Sequence, residues 1–159
     1  MKYIFDPVPP SRLGQSLGID PVPLKTCNWN CVYYPLGRYK PVMDKRGDYY
    51  PPKEIVTQVQ DVLASHKPGE INYVAFVSSG ETTLYAIIGL LIRQVKTLTN
   101  LPVAVITNGS LLYLSDMCDE LSTAAVQAAG GEMDKVNLVV INEEDCQVFL
   151  RKEHQHWRG

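Results

Sequence analysis

Cysteine, histidine and net charge are all scarce in this sequence, and each shortage excludes a class of protein. The 159 residues include 4 cysteines and 3 histidines, and the formal net charge is −2. Four cysteines in a chain without secretory features argue against a disulfide scaffold and favour a reducing cytoplasm. A net charge so close to zero gives no sign of the basic surface that binds nucleic acid or an anionic membrane.

Long hydrophobic runs are also missing. The longest near the middle of the chain, Ala86 to Ile92, is interrupted by Gly89 and is far too short to cross a bilayer. An aspartate and three prolines within the first ten residues exclude a secretory signal peptide. The hydrophobic fraction of 45% and the charged fraction of 20% are those of a globular protein, and the length suits one domain.

The hydrophobic pattern predicts an α/β domain in which helices cover a parallel sheet. Residues 1–16 contain three prolines and are expected to form an extended lead-in, followed by a short strand at Leu17-Gly18-Ile19. Apolar strands are predicted at residues 71–77, 101–106 and 136–141, alternating with helices at 51–66, 84–95, 115–129 and 143–152. Strands that are apolar along their whole length are typical of parallel sheets.

Three polar segments each follow a predicted strand. They are Cys27 to Tyr34, Ser78 to Glu81 and Thr107 to Ser110. Because right-handed crossovers bring the carboxyl ends of parallel strands to one edge of the sheet, we expect these segments to converge. A binding site is therefore predicted at this edge.

Cys27 and Cys31 are the strongest candidates for metal ligands. They lie four positions apart in a long irregular segment, and two thiolates in one loop suit a soft metal or an iron–sulfur cluster. Two thiols without a metal are an alternative, and a structural zinc site that adds the tail residues His154 and His156 is another. Cys118 and Cys146 are expected to be buried as small apolar side chains.

Glu81, Thr107 and Asn108 are the candidates for binding a small molecule. A carboxylate after a buried strand attracts an ammonium group, although it also caps the helix that follows. Thr107 and Asn108 offer polar groups to a ribose or a carboxylate, whereas Asn108-Gly109 also predicts a simple turn.

The same residues resemble the motifs of radical S-adenosylmethionine (SAM) proteins. Cys27-x-x-x-Cys31-x-x-Tyr34 is similar to the Cys-x-x-x-Cys-x-x-Cys cluster motif, with a tyrosine in the third position. Other segments resemble the wyosine-synthase-like iron–sulfur oxidoreductase branch in the same order over about residues 5–150: Phe5-Asp6-Pro7-Val8-Pro9, Leu36-Gly37, Ser79-Gly80-Glu81-Thr82 and Thr107-Asn108-Gly109-Ser110.

This resemblance implies a fold and a set of cofactors. The fold would be the N-terminal part, about four βα units, of a partial (βα)6 barrel, as one truncated domain over residues 1–159 with a tail at 153–159. Radical chemistry would act on an unidentified small-molecule or macromolecular substrate. A [4Fe–4S] cluster would be held by Cys27 and Cys31, and SAM by Gly80, Glu81, Thr107 and Asn108.

Departures from the family pattern predict that this activity is impaired. Tyr34 is a poor cluster ligand because a phenol with a pKa of about 10 stays neutral and its oxygen is hard. Thr82 replaces a proline, and Val139 stands where this branch has an aspartate. These departures favour a pseudoenzyme, and the alternative function is a non-catalytic remnant or a binding module without a cluster. An open sheet edge also allows self-association.

Overall fold

The described strands of this protein form one open sheet in which they follow one another in chain order. The computed structural model describes residues 2–11, 14–24, 26–28, 45–78, 80–128, 136–141 and 148–151. The strands are β1 (Ile4–Ser11), β2 (Gly14–Ile19), β3 (Tyr73–Phe76), β4 (Val103–Thr107), β5 (Val136–Ile141) and β6 (Val148–Arg151). Strands β2 to β5 are parallel, and β1 and β6 pair antiparallel at the two edges.

Each parallel strand from β2 to β4 leads into a helix, and the hydrophobic core lies between these helices and the sheet. The helices are α1 (Pro52–Ser65), α2 (Ile88–Leu98) and α3 (Ser115–Ala128), with a 3-10 turn at Thr82–Leu84. Alternate strand residues contribute to the core: Leu17, Ile19, Val74, Phe76, Val103 and Val105. The helices contribute Ile55, Val59, Val62, Ile88, Leu91, Ile92, Val95, Met117 and Leu121. The α/β class predicted from the sequence is confirmed.

Helix α1 shows why the local sequence was informative. Pro52 begins the helix, where its missing N–H is not needed. Ile55, Val59 and Val62 recur at helical spacing and are buried, as the hydrophobic pattern predicted. The chain then turns at Gly69, whose φ of 91° is the left-handed conformation that glycine adopts without strain.

Two predicted elements differ in the structure. The expected extended lead-in contains β1, which pairs with β2. Prolines are tolerated in β1 because it lies at the edge of the sheet, where one row of N–H groups has no ladder partner. The predicted last helix is also wrong over residues 148–151, which form β6 against β5. Val148 and Phe149 favour a strand, and the neighbouring β5 supplies its hydrogen-bond partners.

These differences change the count of repeating units. Among the described residues, three βα units are complete, β2–α1, β3–α2 and β4–α3, whereas about four were predicted. Leu84 belongs to the 3-10 turn and not to α2. The sheet is mixed and open, with β1 and β6 at opposite edges, so the described strands form no closed barrel.

Within the described residues, no helix is long and apolar enough to span a membrane.

Arg46 and Glu120 connect the segment before α1 to helices α2 and α3. The Arg46 guanidinium donates to the carbonyl oxygens of Thr83 and Tyr85, at 3.1 Å each, and to Glu120 Oε2 at 2.8 Å. The second oxygen of Glu120 accepts the Gly89 N–H at 3.1 Å. Since α2 has no cap from the residue at its own N-terminus, Glu120 provides a cap from a different helix.

We expect Glu120→Ala to lower the free energy of unfolding by about 2 kcal/mol, because the half-buried guanidinium loses its carboxylate partner and the Gly89 N–H loses its acceptor. Asp119→Ala is the matched control, since Asp119 is the exposed neighbour on the same helix. Its cost is expected to stay within about 0.5 kcal/mol. Urea denaturation measures both values. Equal losses for the two variants would show that the connection contributes nothing.

Candidate functional site

The loops that follow β2, β3 and β4 meet at the carboxyl edge of the sheet. The Glu81 N–H donates to the Thr26 carbonyl oxygen at 2.7 Å, which joins the first two loops. The Asn108 amide nitrogen donates to Asn28 Oδ1 at 3.1 Å, and the Asn28 amide nitrogen donates to Ser110 Oγ at 2.7 Å. Residues far apart in the chain thus form one polar cluster where α/β proteins commonly bind ligands.

Glu81 lies at the centre of this edge, with only 2% of its surface exposed. Its Oε1 accepts hydrogen bonds from the Thr83 N–H and from the hydroxyls of Thr83 and Thr107. Its Oε2 accepts the Asn108 N–H at 2.8 Å. A buried carboxylate requires such donors because desolvation would otherwise be costly. Glu81 therefore caps the 3-10 turn and ties the loop after β3 to the loop after β4.

Gly80 allows the loops after β2 and β3 to approach this closely. A Cβ atom at Gly80 would lie 2.0 Å from the carbonyl oxygen of Thr26, far inside van der Waals contact. The Gly80 N–H also donates to Ser78 Oγ at 3.3 Å. Glycine is required at position 80 because the Thr26 backbone leaves no room for a side chain, and not because of an unusual φ angle.

Asn108 orders the loop after β4 and reaches towards Cys27. Its Oδ1 accepts the Ser110 N–H at 2.9 Å, which is the hydrogen bond of an Asx turn. Its Nδ2 lies 3.8 Å from the sulfur of Cys27, whose thiol is buried. The predicted turn at Asn108-Gly109 is present, with a φ of 76° at Gly109, and the same asparagine faces the polar cluster.

The described residues do not supply a ligand set for a metal cluster. Cys31 and Tyr34 lie outside the described residues, as do Cys146, His154 and His156. In the part of the chain that the structure describes, no group of three His, Cys, Asp or Glu side chains is placed to hold a metal ion. Cys118 lies on α3, where its sulfur contacts the carbonyl oxygen of Leu112 at 3.2 Å. Within the described part of the chain, therefore, no further side chain completes a ligand set for an iron–sulfur cluster around Cys27.

Four residues of this site were not singled out from the sequence. Thr26 and Asn28 flank Cys27, Thr83 follows Glu81 by two positions, and Ser110 completes the Thr-Asn-Gly-Ser loop. Each is within two positions of Cys27, Glu81 or Asn108, so the sequence did indicate that they belong to the same loops. Which of them face one another depends on the sheet register, which brings the three loops side by side.

Comparison with known proteins relates this chain to larger proteins. It is 34% identical over 121 residues to a UPF0026 protein of Methanocaldococcus jannaschii, covering 76% of this chain and 37% of that protein. It is 35% identical over 122 residues to a UPF0026 protein of Synechocystis sp., covering 76% and 44%. It is also 40% identical over 141 residues to the GTPase Obg of Brachyspira hyodysenteriae, covering 87% and 20%. No protein-family model matches the chain.

These comparisons correct the family and the function predicted from the motifs. None of the relatives' names indicates radical SAM chemistry, wyosine synthesis or an iron–sulfur cluster. The predicted assignment to the radical SAM superfamily is therefore wrong, and so are the radical function and the iron–sulfur and metal-binding descriptions that followed from it. The chain is similar to UPF0026 proteins, and it spans less than half the length of the relatives it matches.

Proposed function

We propose that the carboxyl edge of the sheet binds a small polar molecule between the loops after β2 and β4. The observation that supports this proposal is the hydrogen-bonded cluster of Asn28, Asn108 and Ser110. These side chains are half-buried, so they are ordered by the protein and still reachable by a ligand. A few convergent polar groups in such a position are characteristic of small-molecule sites.

The hydrogen-bonding capacity of the cluster indicates what it would recognise. Asn28 donates one of its two amide hydrogens to Ser110 and accepts one hydrogen bond from Asn108. One amide hydrogen and one carbonyl lone pair of Asn28 then point elsewhere, and the Ser110 hydroxyl keeps its own hydrogen. A neighbouring donor and acceptor of this kind match the edge of an amide or of a nucleobase.

The charge at this edge favours a neutral or cationic ligand over a phosphate. In the segments that meet at this edge, 26–28, 78, 80–83 and 107–110, the charged side chain is that of Glu81, and Asp20 directly after β2 adds a second carboxylate. Phosphate recognition ordinarily uses arginine, lysine or a glycine-rich phosphate loop. The sequence does not contain Gly-x-x-x-x-Gly-Lys-Ser/Thr, the motif of the phosphate-binding loop in many GTPases. The name GTPase of one relative therefore does not support phosphate binding by such a loop in this chain.

Glu81, Gly80 and Thr107 would act as positioning residues. The carboxylate of Glu81 is engaged by four donors from Thr83, Thr107 and Asn108, so it fixes the loop that carries Asn108. Gly80 lets the Thr26 carbonyl come close, and Thr26 lies two residues before Asn28. Asn28 and Ser110 would then contact the ligand directly.

A binding titration with Asn28→Ala tests this proposal. Amide chemical shifts would be followed by NMR while neutral nucleosides, amino-acid amides and monosaccharides are added one at a time. At least one class is expected to shift the amides of residues 26–28 and 108–111. Asn28→Ala should weaken its binding about tenfold, the equivalent of one lost hydrogen bond.

Asn100→Ala is the control, because Asn100 is an exposed asparagine in the loop before β4, at the opposite edge of the sheet. Its binding should equal that of the wild type. The proposal fails if no compound of the panel shifts these amides, or if Asn28→Ala binds as tightly as Asn100→Ala.

A further inference from the structure

A cavity away from the polar cluster lies between the segment before α1 and the start of α2. Its volume is about 340 Å³, and its walls are formed by Asp48, Tyr49, Tyr50, Pro51, Pro52 and Ile87. This volume is within the range of about 300–1,000 Å³ that is typical of small-molecule sites. None of these residues belongs to the Asn28–Asn108–Ser110 cluster. We propose that this cavity binds an organic cation, such as a methylated ammonium group.

The composition of the wall supports a cationic ligand. Two of the six residues are tyrosines, whose ring faces attract cations. Among the described residues of the wall, the charged side chain is the exposed carboxylate of Asp48, and none is a lysine or an arginine. Pro51, Pro52 and Ile87 provide apolar surface for the methyl groups that surround a quaternary nitrogen.

One ring of the cavity wall, that of Tyr50, already lies near an ammonium group. The Lys2 Nζ lies 5.7 Å from the centre of the Tyr50 ring and 5.0 Å from that of Tyr3. These two rings pack against each other with their centres 4.6 Å apart, which holds Tyr50 in place. Tyr50 is therefore a preorganised cation–π partner, and Tyr49 adds a second ring on the cavity wall.

Carboxylates influence the tyrosines at the cavity and beside it. Burial raises the pKa of Tyr85 to about 12, with a smaller contribution from the Asp48 carboxylate, so the Tyr85 phenol stays neutral at physiological pH. Its hydroxyl donates to the carbonyl oxygen of Tyr50 at 2.7 Å. Burial, followed by the Asp20 carboxylate, raises the pKa of Tyr50. Two carboxylates thus act on this region, and the ammonium of Lys2 opposes them.

Choline and its neutral isostere 3,3-dimethyl-1-butanol test the proposal, because the two have the same shape and differ in charge. Amide shifts would be followed by NMR at constant ionic strength. Choline is expected to shift the amides of residues 48–50 and 87 with millimolar affinity. The neutral isostere should bind at least about tenfold more weakly, since it gains no cation–π or carboxylate attraction.

Two variants and two matched controls complete the test. Asp48→Asn removes the charge of an exposed side chain, and Tyr49→Leu removes one ring; each should weaken choline binding about threefold or more. Asp119→Asn and Tyr113→Leu change exposed residues elsewhere and should leave binding unchanged. Equal binding of choline and its neutral isostere would overturn the proposal. Unchanged binding in both Asp48→Asn and Tyr49→Leu would also overturn it.

Discussion

Gly80→Ala is expected to lower the free energy of unfolding by about 2–4 kcal/mol, among the largest effects of any single methyl group in this chain. The new Cβ would lie 2.0 Å from the Thr26 carbonyl oxygen and 2.6 Å from its carbon. Both are backbone atoms, so no side-chain rotation can relieve the clash. The loops must separate, which breaks the 2.7 Å hydrogen bond from the Glu81 N–H to Thr26. Urea denaturation measures the loss.

Gly69→Ala separates this packing effect from the conformational effect of replacing a glycine. Gly69 has a φ of 91° and no atom within 4 Å of its Cβ position, so alanine there is strained but meets no neighbour. Its cost is expected to be about 1 kcal/mol. Amide shifts of Thr26, Cys27 and Asn28 should change in Gly80→Ala and not in Gly69→Ala. A smaller loss for Gly80→Ala than for Gly69→Ala would refute the close approach of the two loops.

Glu81→Gln is expected to cost about 2–3 kcal/mol, although the two side chains have almost the same shape. The carboxylate accepts hydrogen bonds from four donors of Thr83, Thr107 and Asn108. An amide must direct its NH₂ group at some of them. If the NH₂ replaces Oε2, it faces the Asn108 N–H; if it replaces Oε1, it faces three donors. The charge that strengthens these bonds is lost in either case.

Glu70→Gln provides the comparison for the same chemical change. Glu70 is exposed, and its Oε2 accepts the Lys67 N–H at 2.8 Å, a bond that the amide oxygen of glutamine can replace. Its cost should stay within about 0.5 kcal/mol. Hydrogen exchange at the amides of Thr83 and Asn108 should accelerate in Glu81→Gln alone. Equal stabilities of the two variants would show that Glu81 does not hold the loops together.

These hydrogen bonds distinguish between the two roles that the sequence suggested for Glu81. A carboxylate after a buried strand was compatible with attracting an ammonium group or with capping the next turn. The structure shows the cap, since the Thr83 N–H donates to Oε1 at 3.0 Å. The binding roles predicted for Gly80, Glu81, Thr107 and Asn108 stay predictions. The binding titration with Asn28→Ala tests whether the loops that these residues position bind a ligand.

Local sequence determined the elements whose pattern is strong within one segment. The apolar spacing of α1, the start of α3 at Ser115 and the continuous apolar run of β5 are present as predicted. The turns at Gly69 and Asn108-Gly109 follow from the conformations available to glycine and asparagine. The meeting of the loops at one edge also followed from the sequence, because alternating strands and helices allow few topologies.

Only the tertiary structure decided the features that depend on a distant partner. β1 and β6 are strands because β2 and β5 present free hydrogen-bonding edges to them, which outweighs the prolines of one and the local pattern of the other. The contacts of Asn28 with Asn108 and Ser110 join positions about 80 residues apart, and the requirement for glycine at position 80 comes from Thr26. Periodicity describes which face of an element is buried, but the identity of the neighbour is set by strand register and packing.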